Sequence, residues 1–307
     1  MKKLFLLLSF CCYGISFSVW AQTYGDVVAE MEALKRQYPT LARLVNLGEN
    51  DQGIPITGLR IRRPELLTPR EIPHLLVGTH HGNEEDAAPL SLAFARKVLE
   101  ILSRPFPSDR DDADRPTQGI ESGTFYVFPV LNISGHDAKS RYERTEGGAW
   151  VDPNRDYPDA CRKAPFFRLQ STSLLAEFID SHGIVSAITV HGYRGTFTYP
   201  WGFFTEDPTS PDQEIYHDLL SYAVEANGYR VGNHKEVMYP VTGTFEDWAY
   251  HTYGVWTALL EMKHLPDYGA DVEALLRFFE RVPKQRSRDH AHYGQCIPIP
   301  SVGLPVF

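Results

Sequence analysis

Positive charge and cysteine are both scarce in this 307-residue chain, which carries 30 Lys and Arg against 39 Asp and Glu and has four cysteines. A net charge of −9 argues against a nucleic-acid partner and does not favour an anionic surface. No internal repeat or long flexible linker divides the sequence, and at 43% hydrophobic it is long enough to bury a sizeable core. Residues 4–20 are apolar but short for a membrane span. Preceded by Lys2 and Lys3 and ending at Val19-Trp20-Ala21, they read as a secretory signal over residues 1–21. Its removal takes two lysines and no acid, moving the charge from −9 to −11. The expectation is one mature domain over residues 22–307, periplasmic or secreted and not inserted in a membrane. Of the cysteines, Cys161 and Cys296 would remain, either as one disulfide or as two buried thiols.

What is present is an alternation of strands and helices. Apolar periodicity predicts a helix over residues 25–37, and strands follow over residues 43–47 and 54–61 around Asn50-Asp51-Gln52-Gly53. Further strands are predicted at 72–78, 125–130, 184–190 and 255–262. Helices are predicted at 87–102, 166–181, 212–227, 244–251 and 272–282. Strongly apolar strands alternating with helices imply an α/β fold: a mixed, mostly parallel twisted sheet with helices on both faces. Residues 104–118 and 283–301 read as surface loops.

Such sheets bind ligands outside their strand ends. His81 and Glu84 stand three apart in the turn after the strand at 72–78, while His191 and Glu261 end two other apolar strands. Two imidazoles and a carboxylate are what a catalytic zinc uses when a fourth position stays open for water, and Glu261 is a candidate base for that water. His80 is a rival ligand, but no carboxylate lies three residues beyond it, and it is expected to point to the opposite side of the strand end. The residues after His191, Tyr193 and Thr198-Tyr199-Pro200-Trp201-Gly202, suit a pocket wall. His290-Ala-His292 has metal-like spacing but lies in a polar tail and reads as solvated. Asn154-Arg155 suits a carboxylate ligand, Arg holding it bidentately and Asn adding a neutral donor, or an ordinary loop salt bridge with Asp152 or Asp156.

Taken in order, His81-Gly-Asn-Glu84, Val-Asp-Pro-Asn154-Arg155, His191-Gly-Tyr193, Tyr239-Pro-Val-Thr-Gly-Thr-Phe-Glu-Asp-Trp248 and Leu-Leu-Glu261 resemble the zinc carboxypeptidases of the funnelin family. The resemblance spans about residues 25–282. It implies one zinc ion held by His81, Glu84 and His191, with Glu261 as general base and later acid. Asn154 and Arg155 would grip the C-terminal carboxylate of a peptide substrate, and Tyr239 would close over it. Arg144 fits best as the arginine polarising the scissile carbonyl, with Arg141 the rival. Gly192-Tyr193 matches a place where the family can carry a strained peptide.

Glu246, seven past Tyr239, matches the base of the family's side-chain pocket, where an acid implies removal of Lys or Arg. Its other reading is an acid at a helix start, paired with solvent. The sequence departs from digestive members around Asn83, which puts an auxiliary substrate contact in doubt, and it has no room for their long activation segment. The implied protein is a monomeric zinc metallocarboxypeptidase. Its alternatives are a murein peptide amidase, an amidohydrolase of the desuccinylase type, and a non-catalytic binding module.

Overall fold

A computed structural model describes residues 22–64, 71–105, 118–292 and 294–299; the secretory-signal reading of residues 1–21 lies outside them. The strands are β1 (Ala42–Glu49), β2 (Pro55–Ile61), β3 (Ile72–Gly78), β4 (Gly123–Phe128), β5 (Glu143–Arg144), β6 (Trp150–Val151), β7 (Ser186–Gly192), β8 (Thr196–Tyr199), β9 (Arg230–Asn233) and β10 (Trp256–Met262). The helices are α1 (Tyr24–Gln37), α2 (Ala87–Leu102), α3 (Gln118–Glu121), α4 (Ile133–Ala138), α5 (Gln170–Ser181), α6 (Gln213–Val224), α7 (His234–Val237), α8 (Phe245–Tyr253) and α9 (Tyr268–Arg281).

Eight strands form one sheet in the order β1-β2-β4-β3-β7-β10-β8-β9, while β5 and β6 pair separately. The central strands β4, β3, β7 and β10 run parallel. They read as continuous apolar runs because both of their faces are covered. Leu75, Leu76 and Val77 of β3, Ile188 and Val190 of β7, and Leu259 and Leu260 of β10 are all buried. Helices α2, α9 and α6 pack side by side, and α5 packs with α8. The predicted helix at 166–181 begins later, at Gln170, because Phe167 adopts φ 53° and Leu169 is the N-cap. Strands β8 and β9 are additions to the predicted set. Residues 196–199, expected in part to line a pocket wall, form β8, and Trp201 just beyond is fully buried.

The C-terminal segment also differs from expectation. His292 Nε2 lies 2.8 Å from Thr205 Oγ1, and His290 Nδ1 lies 2.9 Å from the His251 carbonyl oxygen. His292 packs edge-on to Phe203. The His290-Ala-His292 stretch is therefore a half-buried strap rather than a solvated tail. A Cys161–Cys296 disulfide fastens it, resolving the two alternatives left open for these cysteines. Among the described residues no helix is long and apolar enough to cross a membrane.

Candidate active site

Three adjacent parallel strands bring the candidate residues to one end of the sheet. In the β7–β10 register His191 sits beside Glu261, and in the β3–β7 register Gly78 sits beside Val190. His191 and Glu261 are thus neighbours, and the chain leaving β3 reaches them three residues later with His81. That turn is fastened from the segment after β4. Leu131 N–H donates to the Gly78 carbonyl at 3.3 Å, and Asn132 N–H to the Thr79 carbonyl at 3.1 Å. The Asn132 amide donates to the His80 carbonyl at 3.0 Å. Gly82 is required here, because a Cβ would lie 2.0 Å from the Gly135 carbonyl carbon.

The four residues are buried together. His81 Nδ1 lies 2.7 Å from Glu84 Oε1, His191 Nδ1 lies 2.9 Å from Glu84 Oε2, and the two Nδ1 atoms are 3.2 Å apart. Behind the set, Asp152 Oδ1 stands 3.1 Å from His81 Nε2, and Asp152 Oδ2 accepts from Arg141 Nε at 2.9 Å. His80 is not part of this donor set, but neither does it point away. Its ring stacks on His191 at 5.5 Å, and its Nε2 lies 3.2 Å from the Tyr157 hydroxyl.

The electrostatics of the cluster favour a cation. Burial opposes protonation of His81, yet Glu84 and Asp152 outweigh it and raise its pKa to about 9. Burial alone would raise the Glu84 carboxyl, but His81 and His191 hold it far below the usual carboxylate range. Asp152 is likewise held well below that range, by His81 and Arg155 against its burial. Glu261 goes the other way: burial and the neighbouring Glu84 charge push it up to about 8. The two carboxylates Glu84 and Asp152 thus place negative charge where the imidazoles converge, which favours a bound cation.

The donor set fits zinc. One ligand atom from each of His81, Glu84 and His191 can be chosen so that all lie within 4.8 Å of one another. Ligands at the usual zinc distances in a tetrahedron are separated by about 3.3 Å, close to the spacings above. Glu261 Oε2 is buried without a hydrogen-bond partner among the described residues, which calls for a positive or donating species beside it.

Arg141 is largely buried against Asp152 and feels the charge of Glu84 and the Tyr239 hydroxyl, so its guanidinium faces the site. Arg144, the arginine preferred from the sequence, stands exposed on β5. Strand alternation turns Glu143 inward to bond Ser171 and Arg144 outward, a distinction that the Arg-Tyr-Glu-Arg spacing left open.

Asn154 is buried, its Oδ1 accepting from Phe245 N–H at 2.9 Å and its Nδ2 lying 3.5 Å from Glu246 Oε2. Arg155 is half-buried and donates Nη1 to the Asn154 carbonyl at 2.6 Å. The ring of Tyr239 meets His234 edge-on at 5.5 Å. Glu246 lies in the first turn of α8, at a helix start, but it is buried rather than solvent-paired. Its carboxylate accepts from the Thr189 hydroxyl. The Gly192–Tyr193 peptide is cis.

Asp152 and Thr189 are the residues sequence reasoning missed. Asp152 figures there only as a salt-bridge partner of Arg155. Its placement two residues before Asn154 was the available signal, whereas Thr189, mid-strand in an apolar run, offered none.

Residues 27–274 match the family model described as zinc carboxypeptidase. Carboxypeptidase O of Bos taurus is 23% identical over 257 residues, covering 73% of this chain and 65% of that protein. Carboxypeptidase B of Astacus astacus is 24% identical over 280 residues, covering 80% of this chain and 87% of that protein. The chain thus spans about two thirds of the bovine protein's length. Among solved structures, thrombin activatable fibrinolysis inhibitor superposes with a TM-score of 0.73 at 15% identity, covering 85% of this chain and 74% of that one. A murein-tripeptide amidase from Escherichia coli O157 superposes with a TM-score of 0.50 at 15% identity, covering 76% and 91%. At these identities the likeness is one of fold.

Proposed function

Because the chain belongs to the zinc carboxypeptidase family, we propose that it is an exported zinc metallocarboxypeptidase that hydrolyses the C-terminal peptide bond of peptides. The carrying observation is the convergence of two Nδ1 atoms and the Glu84 carboxylate beside Glu261, whose Oε2 is buried and without a hydrogen-bond partner among the described residues.

In this reading His81, Glu84 and His191 hold one zinc, which supplies a Lewis acid where water and the scissile carbonyl meet. Asp152 holds the His81 ring in orientation, as outer partners of zinc-binding histidines do. Glu261 takes a proton from the attacking water and hands it to the leaving amine. Its burial without a hydrogen-bond partner at Oε2 makes it a stronger base than a solvated carboxylate. Arg141 stabilises the charge developing on the carbonyl oxygen. Arg155 and Asn154 bind the substrate's terminal carboxylate, and Tyr239 covers it.

Glu246 supports a preference for Lys or Arg at the C-terminus, since its hydrogen-bond partners among the described residues, Thr189 and Asn154, are both neutral. A buried carboxylate without a cation favours a substrate that brings one. The same chemistry would accept a diaminopimelate residue, which carries amine and carboxylate together, so cell-wall peptides form the second reading. The Cys161–Cys296 disulfide fits an oxidising compartment, as the proposed export requires.

Mass spectrometry of defined peptides after incubation with zinc-loaded protein tests this function. Release of single C-terminal residues, lost in Glu261→Gln, is expected; internal cleavage or equal release by the variant contradicts it.

A further inference from the structure

We propose that the Cys161–Cys296 disulfide positions the candidate carboxylate-binding residues, so that opening it weakens substrate binding while leaving the metal site filled. The inference rests on the carboxypeptidase reading above. Cys161 lies in the loop that follows Asn154-Arg155, and Cys296 lies in the C-terminal strap, 135 residues away.

That loop braces two substrate-side segments at once. Arg162 Nη2 donates to the Arg155 carbonyl at 2.8 Å. Asp159 accepts from Cys161 N–H at 2.7 Å through Oδ1 and from Gly243 N–H at 2.9 Å through Oδ2. Tyr157 N–H in turn donates to the Gly243 carbonyl at 3.1 Å. Gly243, at φ +68°, lies between Tyr239 and Glu246. A Cβ there would come within 2.6 Å of the Arg155 carbonyl oxygen and 3.0 Å of Arg162 Nη2. Arg155 and the 239–246 segment therefore share one buttress with little slack.

The bridge ties the outer end of this buttress to the strap. The strap is bonded to the segment after β8: Glu206 N–H donates to the Gln295 carbonyl at 2.9 Å and Ile297 N–H to the Phe204 carbonyl at 3.0 Å. None of these bonds involves His81, Glu84 or His191, so the metal ligands stand outside the linkage. Cys296 is exposed, which leaves the bridge open to a small reductant. A trialkylphosphine would supply two electrons and become its oxide, water supplying the oxygen and the two thiol protons.

The test compares oxidised and phosphine-reduced full-length, zinc-loaded protein at a temperature where both remain folded. Reduction is expected to raise KM roughly tenfold with kcat changed less than about twofold, as for loss of one hydrogen bond that aligns a charged group. Zinc content should not change, and reoxidation should restore KM. Arg162→Gln, with the bridge intact, should reproduce the KM rise, and this variant decides the matter if the reduced protein unfolds. Hydrogen exchange provides a readout independent of turnover: reduction should deprotect residues 154–158 and 239–245. An unchanged KM in both proteins, or deprotection confined to residues 160–163 and 290–299, would overturn the proposal. Absence of any peptide release would instead count against the carboxypeptidase reading, leaving the exchange result to judge the bridge.

Discussion

Replacing Asp152 with Asn removes one charge from behind the proposed metal site while preserving its shape. Asp152 Oδ1 lies 3.1 Å from His81 Nε2, and Oδ2 accepts from Arg141 at 2.9 Å. A hydrogen bond to a charged group contributes about 1.5–3 kcal/mol, which corresponds to roughly 10- to 100-fold in affinity. That range agrees with what outer partners of metal-bound histidines contribute. A second effect opposes the first. In the metal-free chain Glu84 and Asp152 hold a proton on His81 up to about pH 9, and that proton competes with the metal. Removing Asp152 weakens the competitor, so the loss of zinc affinity should be smaller at pH 7 than at pH 9. Chelator-competition titration of both proteins at the two pH values measures this directly. Affinities equal within about twofold at pH 9, less than one good hydrogen bond would give, would refute the orienting role.

Other outcomes follow from the same geometry. Glu143 is fully buried, and burial raises its carboxyl pKa to about 8, so the folded chain keeps a proton that the unfolded chain loses near pH 4.5. Stability should therefore fall as pH rises between these values, by roughly 1.4 kcal/mol per unit. Glu143→Gln should remove that part of the slope, so its urea midpoint relative to the parent should rise steadily from pH 5 to 8; a constant offset contradicts the assignment. Glu246→Gln should lower the rate ratio for peptides ending in Lys over those ending in Phe by at least about tenfold, the effect of losing one buried charge pair. A ratio that does not move would remove Glu246 from the side-chain pocket. Arg141→Ala should lower kcat/KM by roughly 100-fold, whereas Arg144→Ala, exposed on β5, should leave it nearly unchanged. Equal effects would reverse that choice.

Much of the sheet was legible because parallel strands buried on both faces leave long apolar runs, as at residues 72–78, 184–190 and 255–262. The donor set was legible for a related reason: His81, His191 and Glu261 each follow or end such a run, and strand ends are where these sheets gather ligands. What escaped depended on non-local partners. The short strands β8 and β9 derive their order from pairing with β10 and with each other rather than from a periodic pattern. Choosing between Arg141 and Arg144 needed the inward turn of Glu143. The strap at residues 290–297 is held by Thr205, His251 and Cys161, none of which is near it in sequence. Cysteine pairing across such a distance carries no local signal.

Central to the proposed chemistry is a division of labour: His81, Glu84 and His191 share one zinc, while Glu261 stands beside it as a base and not as a ligand. Zinc per chain, measured by elemental mass spectrometry on folded His191→Ala and Glu261→Gln proteins, tests that division most directly. A near-complete loss of zinc in His191→Ala, with the metal retained in Glu261→Gln, is the expected result. Equal zinc content in the two variants, whether both full or both empty, would contradict it.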